Sequence, residues 1–258
     1  MTPFPSQTQT AIDFAADLFR QAKHAVSLTG AGLSTPSGIP DFRSTGTGLW
    51  SRDEPLEVAS LSTFRTAPER FYEWFRPLAS QIYHAQPNPA HLSLADLEKA
   101  GRIHSILTQN IDMLHQKAGS QTVIEMHGTM RTLTCTQCYY QMEAALHLDK
   151  FVENGKIPCC SKCGNILKPD VILFGEQLPQ AAWFKAQREA RQCDLMLVVG
   201  SSLEVLPVAG LPMQALDHGA HLVIINNAQT YLNVRADVVI LEDAAVIIPA
   251  IAEKVLNG

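Results

Sequence analysis

Residues 30–43 read GAGLSTPSGIPDFR and directly follow the apolar run AVSLT at 25–29. In an open α/β sheet, a buried parallel strand that ends in Gly-Ala-Gly presents backbone N–H groups to a phosphate. The dinucleotide pattern G-x-G-x-x-G is incomplete here, because its third glycine would fall at Thr35. No acidic residue is clearly placed at the end of a second strand. The stretch therefore favours a nucleotide-binding α/β fold, and its other residues must identify the ligand.

The composition is that of a globular enzyme. Of 258 residues, 46% are apolar and 17% are charged. A chain of this length buries roughly 75% of its unfolded surface and needs no disulfides to fold. The formal net charge of −5 gives no general attraction to nucleic acid or to an anionic membrane. Because the sequence has neither a signal-peptide pattern nor a long apolar run, we expect a cytoplasmic protein.

Short apolar strands alternate with predicted helices along most of the chain. Helices are predicted at 7–24, 88–100, a short segment ending at 118, 180–191, 208–218 and the C-terminus, and strands at 25–29, 103–108, 123–126, 195–199, 222–225 and 238–241. Repeated strand-loop-helix units predict an α/β fold with a doubly wound, parallel, Rossmann-like sheet.

Two segments interrupt this alternation. Residues 47–84 are rich in aromatic side chains and are interpreted as a helical module, whereas residues 129–168 contain two cysteine pairs. We therefore predict one Rossmann-like domain made of residues 1–46, 85–128 and 169–258. The helical module and a smaller zinc-ribbon module are predicted to be inserted into it.

Small or amide residues follow four of the predicted strands. They are Gly30-Ala31-Gly32, Gln109-Asn110, Gly200-Ser201-Ser202 and Asn226-Asn227. Open α/β sheets bind ligands at the carboxyl ends of their strands. These residues are therefore predicted to line a single crevice.

Four of the six cysteines form two C-x-x-C pairs, Cys135 with Cys138 and Cys160 with Cys163, which are 21 residues apart. This spacing is typical of a four-thiolate zinc ribbon. Four thiolates leave no coordination position for water, so the zinc should be structural. Cys159 could replace its neighbour through a C-x-x-x-C spacing, although Cys160 is the favoured ligand.

Taken together, these motifs resemble the sirtuin family, the NAD-dependent protein-lysine deacylases. The matching stretches cover nearly the whole chain in the family's order: GAGLSTPSGIPDFR, TQNIDMLHQKAG at 108–119, His127-Gly128, the cysteine pairs, PDVILFGE at 169–176, GSSLEV at 200–205 and Asn226-Asn227. The chain is similar to compact bacterial or archaeal members.

The resemblance implies that NAD lies along the carboxyl ends of the strands and is consumed as a co-substrate. Its pyrophosphate would lie near the backbone of Gly30, Ala31 and Gly32 and the hydroxyls of Ser201 and Ser202. Its adenosine ribose would lie near Asn226. Its nicotinamide would lie near Ile39 and Asp112, and the ribose attached to nicotinamide near Gln109 and Asn110. Phe42 would shield the reactive carbon from water. The other residues assigned to cofactor binding are Ser34, Asp41, Arg43, Gly200 and Asn227.

The implied reaction is acyl transfer from lysine to ADP-ribose, with release of nicotinamide and O-acetyl-ADP-ribose. His127 would be the general base that activates a ribose hydroxyl, and an ordinary imidazole pKa of about 6.5 suits that step. Asn110 is the second residue assigned to catalysis. His115 is expected to be a structural residue of its short helix.

For the acyl-lysine substrate, PDVILFGE and GSSLEVLP are predicted to offer two extended edges between which a peptide adds as a strand. The predicted peptide contacts are Ile172, Phe174, Gly175, Glu176, Glu204 and Val205. Since main-chain pairing reads few side chains, we expect protein or peptide substrates with modest sequence selectivity. We expect neither a nucleic-acid nor a membrane partner, and a monomer.

One departure from the family concerns the acyl group. Members that remove succinyl or malonyl groups carry a Tyr-x-x-Arg pair in the helical module. Here Tyr72 is kept, but Phe75 stands where the arginine would be, and Arg76 is one residue further, roughly 100° around a helix. The sequence therefore predicts an apolar acyl pocket and deacetylase activity, with longer fatty acyl chains left open.

Two alternative functions remain at this point. A mono-ADP-ribosyltransferase would share the cleavage of NAD but pass the ribosyl group to a protein. A zinc-ribbon nucleic-acid-binding protein is permitted by the cysteine pairs, although residues 129–168 have only a slight basic excess and no interleaved aromatic and basic residues.

Overall fold

Nine strands form two sheets in the computed structural model, which describes residues 4–42, 48–49 and 54–258. They are β1 (Ala25–Thr29), β2 (Ser105–Thr108), β3 (Val123–Glu125), β4 (Gly128–Cys135), β5 (Gln141–Glu143), β6 (Leu167–Val171), β7 (Leu195–Val199), β8 (His221–Ile225) and β9 (Val238–Ile240). The larger sheet has the order β3-β2-β1-β7-β8-β9, and every pair in it is parallel.

The α-helices of the described residues are α1 (Ser6–Gln21), α2 (Pro55–Val58), α3 (Leu61–Thr66), α4 (Pro68–His84), α5 (Pro89–Lys99), α6 (Leu114–Ala118), α7 (Ala145–Asn154), α8 (Gln180–Gln192), α9 (Leu211–Asp217) and α10 (Ala244–Asn257). Local sequence sets several of their ends. The side chain of Asn88 accepts backbone N–H groups at the start of α5, and Gly119, at φ 107°, ends α6. Across the described part of the chain, no helix has the length and apolar character required to span a membrane.

Helices cover both faces of the parallel sheet, because its strands are apolar on both sides. Along β7, Leu197 and Val199 pack into one apolar cluster with α1, α5 and α10. The alternate residues Met196 and Val198 pack into a second cluster with α8 and α9. Successive residues of a strand point to opposite faces. The predicted doubly wound α/β fold is confirmed.

The smaller sheet is antiparallel, with β4 between β5 and β6. It carries the cysteine region. Beside it, α4 and α7 pack through an aromatic cluster in which Tyr72 and Phe75 contact Phe151, and Phe71 stacks on Phe75. The helical interpretation of the aromatic-rich segment is therefore confirmed for its described residues. Strands β4, β5 and β6 and helix α7 were not predicted.

Some element boundaries differ from the sequence prediction. The helix predicted at 208–218 is a 3₁₀ turn at Val208–Gly210 followed by α9, where Pro212 lies in the first turn. Helix α1 stops at Gln21 because Ala22 is already extended, at ψ 137°. The division into domains at residues 46, 84, 128 and 168 stays a prediction.

Two buried histidines lie between α5 and α6. The side chains of His91 and His115 are 0% and 1% exposed, and their ring centroids are 5.0 Å apart. The Nε2 atom of His115 lies 2.9 Å from Thr29 Oγ1, which agrees with its predicted structural role. Among the described residues, neither ring nitrogen of His91 has a hydrogen-bond partner. Burial lowers the pKa of His91 to about 4 and that of His115 to about 3.

These histidines should make stability depend on pH. Because the folded-state pKa of His91 lies below the value of 6.5 in an unfolded chain, the unfolded chain takes up the proton first as pH falls. The contribution of these two neutral histidines to the free energy of unfolding is therefore fully present above pH 6.5. It is lost as the pH falls from 6.5 towards their folded-state pKa values, by about 1.4 kcal/mol per pH unit for each imidazole.

His91→Leu should remove one of the two contributions. Chemical denaturation between pH 7.5 and pH 4.5 should show a slope of unfolding free energy against pH that is lower by about 1.4 kcal/mol per unit than in the wild type. At pH 7.5 the variant should be about as stable, since no hydrogen bond of His91 is lost. The exposed residue His218 supplies the control, His218→Leu. Equal slopes for His91→Leu and the wild type would contradict the assignment.

Candidate active site

The carboxyl ends of β1, β2, β7 and β8 lie side by side, because these strands are neighbours in one parallel sheet. β1 pairs with β2 on one side and with β7 on the other. The chain passes from β1 to β2 and from β7 to β8, so the connections that follow β1 and β7 run in opposite directions. Such a switch point is where open α/β sheets bind ligands. The small and amide residues that follow these four strands are therefore brought to one edge of the sheet.

Glycines let the loops after β1 and β7 touch. The N–H groups of Gly30 and Gly32 donate to the carbonyls of Val199 and Gly200, at 3.0 and 2.8 Å. A Cβ atom on Gly200, which has φ +61°, would lie 2.2 Å from the backbone nitrogen of Leu33. The N–H groups of Gly30 and Gly32 are thus occupied, and the expectation that they donate to a phosphate needs correction. Close packing of two loops explains these glycines.

A buried chain of hydrogen bonds links the first loop to the end of β2. The hydroxyl of Ser34 donates to Asp112 Oδ2 at 2.6 Å, and the Nδ2 atom of Asn110 donates to Ser34 Oγ and to the Gly30 carbonyl, both at 3.1 Å. Burial raises the pKa of Asp112, while the hydrogen bonds from Ser34 and from the Leu114 N–H oppose that rise. Three residues predicted for this site are therefore in direct contact.

Gln109 connects the ends of three strands. Its N–H donates to the Thr29 carbonyl at 2.9 Å, and its side-chain Nε2 donates to Ser201 Oγ at 2.9 Å. The carbonyl of Gln109 lies 3.1 Å from His127 Nδ1. The relative positions of the β1, β2 and β7 loops and of His127 are thus fixed through one residue.

His127 lies where the two sheets meet, two residues after the end of β3 and directly before β4. Since a carbonyl only accepts, the contact with Gln109 places the proton on Nδ1 and leaves the Nε2 lone pair available. Burial lowers the pKa of His127, and the hydrogen bond to Gln109 opposes this only in part. A neutral imidazole with one accessible basic nitrogen can act as a general base at neutral pH.

Comparison with known proteins identifies the family to which this site belongs. The model of the Sir2 family matches residues 30–207, which include the first loop, His127 and both cysteine pairs. The chain belongs to the Sir2 family. The predicted sirtuin resemblance is thereby confirmed.

Individual Sir2 relatives match along most of their length. The chain is 45% identical over 242 residues to NAD-dependent protein deacylase 2 of Archaeoglobus fulgidus, covering 93% of this chain and 94% of the relative. A solved structure from work on the mechanism and regulation of Sir2 enzymes superposes with a TM-score of 0.90 at 44% identity, covering 96% of this chain and 99% of that chain. A Sir2 structure with a p53 peptide and NAD⁺ superposes with a TM-score of 0.85 at 36% identity, covering 94% of this chain and 97% of that chain.

The second half of the loop after β1 is described only in part. Ile39 is buried in the apolar cluster that contains Phe71 and Leu114. The carbonyl of Asp41 accepts the Leu49 N–H at 3.0 Å, and Phe42 is half-buried. The predicted contact at Arg43 lies outside the described residues. Ile39 thus contributes an apolar wall, whereas the roles of Asp41, Phe42 and Arg43 stay predictions.

Residues after β7 and β8 complete the crevice. The Ser201 hydroxyl oxygen accepts both Gln109 Nε2 and, at 3.3 Å, the Leu203 N–H, so its own proton remains to donate to a ligand. Ser202 and Asn226 are half-buried and Asn227 is exposed. The Asn226 side chain donates to the Ala228 carbonyl at 2.8 Å. This contact shapes the turn after β8.

The predicted peptide edges differ from the structure. Strand β6 ends at Val171, and Phe174 pairs instead with residues 59–61, donating to the Ala59 carbonyl at 3.0 Å and accepting the Leu61 N–H at 2.9 Å. Residues 200–205 form no strand, because Leu203 has φ 56°. The prediction of an extended edge is therefore wrong for residues 200–205, whereas within 169–176 the structure shows a strand at 169–171 and a single β-bridge at Phe174. The backbone of Phe174 is already paired within the chain.

The remaining predicted peptide contacts vary in availability. The Ile172 N–H donates to the His127 carbonyl at 2.8 Å, whereas Gly175 and Glu204 are exposed. The carbonyl of Val205, a half-buried residue, accepts the Ala209 N–H at 2.9 Å. Gly175 and Glu204 are thus open to solvent.

Lys168 is a structurally important residue that the sequence did not single out. Its Nζ lies 2.9 Å from Glu176 Oε2 and donates to the Val171 carbonyl at 2.7 Å. Glu176 also accepts the Leu173 N–H at 2.8 Å. The carboxylate of Glu176 thus holds its own turn together, while its assignment as a main-chain peptide contact stays a prediction. No sequence pattern marks a lysine that becomes buried only when β6 pairs with β4.

The four paired cysteines converge at the end of the small sheet. The Sγ atoms of Cys135 and Cys163 are 3.4 Å apart, those of Cys138 and Cys160 3.6 Å, and those of Cys138 and Cys163 3.5 Å. Four thiolates bound to one zinc at about 2.3 Å would be roughly 3.8 Å apart, so the cluster fits a tetrahedral structural zinc.

Cys159 lies outside this cluster. Its exposed Sγ faces the carbonyl of Ile157 at 3.6 Å. The structure therefore brings the sulfur of Cys160, and not that of Cys159, to the other three sulfurs. The Lys162 N–H lies 3.4 Å from Cys160 Sγ, an arrangement that favours a thiolate at this position.

Proposed function

We propose that this Sir2 protein is an NAD-dependent protein-lysine deacetylase. The main support is the position of His127. Its Nδ1 is held by the Gln109 carbonyl at the end of a crevice formed by β1, β2 and β7, where the neutral imidazole can act as a general base. The name of the A. fulgidus relative and the Sir2 complex with NAD⁺ and a peptide support the same activity.

The residues of the crevice fit NAD. The loops meet at the switch point through Gly32 and Gly200, and the Ser201 hydroxyl has a proton to donate. When bound, NAD supplies an ADP-ribosyl acceptor for the acyl group, with nicotinamide as the leaving group. We assign phosphate and ribose binding to the Ala31 N–H and to Ser201, Ser202, Asn226 and Asn227.

Nicotinamide binding is assigned to Ile39 and Asp112, with Asn110 beside them. Asp112 is buried and is held by the Ser34 hydroxyl, so it can accept a carboxamide N–H without reorganising. Gln109 and Asn110 position the adjoining ribose. His127 then takes a proton from a ribose hydroxyl through Nε2. Phe42 excludes water from the reacting carbon.

Nicotinamide release tests this function directly. Incubation with NAD and an acetyl-lysine peptide should release one nicotinamide for each acetyl group removed, whereas NAD alone should give only slow release. An unmodified peptide of the same sequence is the control. Release that does not need acetyl-lysine, with ADP-ribose retained on protein, would instead identify an ADP-ribosyltransferase.

We further propose that the acyl pocket excludes carboxylates. Phe75, which replaces the arginine of desuccinylases, is 2% exposed and stacks on Phe71. The guanidinium of Arg76 donates to the carbonyls of Val152 and Glu153, so the prediction that it points elsewhere is confirmed. A succinyl carboxylate would therefore be buried without an arginine partner.

Acetyl-lysine should be preferred to succinyl-lysine by at least about 100-fold in kcat/KM, since burying an unpaired carboxylate costs several kcal/mol. The measurement compares two peptides that differ only in the acyl group. Arg76→Gln is the matched control and should leave the preference unchanged, because Arg76 contacts α7. Equal rates for the two peptides would contradict an apolar pocket.

The remaining assignments follow from composition and chemistry. We propose a cytoplasmic location, because six free cysteines suit a reducing compartment. A formal charge of −5 supports protein partners rather than nucleic acid or membranes. We also propose that the enzyme is a monomer, with its Rossmann-like domain and two inserted modules divided as predicted.

A further inference from the structure

A second group of side chains of the types that bind metals lies at the opposite edge of the parallel sheet. His24 directly precedes β1, His104 directly precedes β2, and Glu189 lies on α8. The two imidazole rings are 4.0 Å apart between centroids. Since β1 and β2 are paired in parallel, their amino ends hold these histidines side by side. None of the three residues belongs to the crevice that contains His127.

The donor atoms of this group are close enough to share one ion. His24 Nε2 lies 3.0 Å from Glu189 Oε2, and His104 Nε2 lies 3.8 Å from the same oxygen. One ligand atom from each residue lies within 4.8 Å of the others. Ligands bound at about 2.0–2.2 Å are separated by roughly 3–4.4 Å, so side-chain rotations that turn both ring nitrogens towards one point would complete the geometry.

We propose that His24, His104 and Glu189 bind a divalent transition-metal ion such as Zn²⁺ or Ni²⁺ at a site separate from the four-cysteine centre. Two imidazoles and one carboxylate suit ions of borderline softness. Three protein ligands leave further positions for water. The side chains of His24 and His104 are 23% and 57% exposed, so an ion reaches them from solvent.

The surrounding contacts hold this group in place. Asp194 accepts the His24 N–H at 2.9 Å and the Lys23 N–H at 2.7 Å, which fixes the backbone before β1. The Ser105 hydroxyl donates to Glu189 Oε2 at 3.1 Å. The Glu189 carboxylate is thus held beside both imidazoles, with Oε2 facing the Nε2 atoms of His24 and His104.

The ion would join the amino ends of β1 and β2 to α8. Because these ends lie opposite the crevice, the site should act on stability and not on the acyl transfer. Arg188 competes with the metal, since its Nη2 lies 3.5 Å from Glu189 Oε1. Removing Arg188 should consequently strengthen metal binding.

Zinc-loaded protein titrated with Ni²⁺ tests the proposal. Calorimetry and elemental analysis after desalting should find one Ni²⁺ per chain at micromolar Ni²⁺, with the zinc content unchanged. The melting temperature should rise by a few degrees at saturation, because the ion binds only the folded chain. Absence of Ni²⁺ binding at 100-fold higher concentration would overturn the site.

Variants decide whether these three residues are the ligands. His104→Ala, which removes an exposed ring, should weaken Ni²⁺ binding at least tenfold, and Glu189→Gln should do the same. Arg188→Gln should bind more tightly than the wild type. His218→Ala, an exposed histidine outside the group, is the matched control and should bind normally. Equal affinities for His104→Ala and the wild type would assign the ion elsewhere and refute the proposal.

Discussion

A His127→Ala variant should lose acetyl-lysine turnover by about 10³-fold, which is the usual contribution of a positioned general base. The variant should still bind NAD, because His127 contacts the crevice through the Gln109 carbonyl and the glycine contacts of the β1 and β7 loops do not involve it. Initial rates with an acetyl peptide, together with calorimetric binding of NAD, provide the measurement. His218→Ala is the matched control.

Two further readouts separate a catalytic role from a structural one. Exchange of labelled nicotinamide into NAD precedes the proton transfer assigned to His127, so it should survive in the variant. In the wild type, the neutral imidazole is required and burial lowers its pKa, so the fall of kcat/KM at acid pH should be centred below the ordinary imidazole value of about 6.5. Normal deacetylation by His127→Ala would refute the assigned base.

A Cys160→Ser variant should lose its zinc and much of its stability. Zinc held by four thiolates contributes roughly 10–16 kcal/mol of binding free energy in isolated zinc-finger peptides, and that energy stabilises the fold. Activity should be lost as well, because β4 begins directly after His127 and the Ile172 N–H pairs with the His127 carbonyl. Zinc content, melting temperature and turnover are the quantities to compare.

Cys159→Ser is the control at the adjacent position and should retain zinc, stability and activity, since its sulfur lies outside the cluster. A strong chelator applied to the wild type should lower melting temperature and activity together. If Cys160→Ser kept one zinc per chain, or if chelation removed activity without changing the fold, a structural four-cysteine site would be excluded.

Local patterns were sufficient for the framework of this fold. The apolar runs at 25–29 and 195–199 correspond residue for residue to β1 and β7, because a run that is buried on both faces leaves little freedom in where a strand begins or ends. The two cysteine pairs likewise indicated which sulfurs converge, since a C-x-x-C turn by itself brings two sulfurs together.

Local sequence patterns did not show which acceptor each backbone N–H group would bind. The sequence suggested that Gly30 and Gly32 donate to a phosphate, yet both N–H groups donate to the loop after β7. That partner lies about 170 residues away in the sequence, and the glycines are needed because the two loops touch. The extended edge predicted at residues 203–205 is absent for a similar reason, because Leu203 adopts a positive φ.

The sequence by itself determined the family, the parallel sheet and the two cysteine pairs, and it singled out His127, because each of these depends on residue types at fixed spacing. Only the tertiary structure decided the tautomer of His127, the partner of Glu176, the choice of Cys160 over Cys159 and the meeting of His24 and His104 with Glu189. Each of these depends on which atoms, far apart in the sequence, lie within a few ångströms of one another in the folded chain. Hydrogen bonds and metal bonds act over that distance, and spacing along the chain does not specify it.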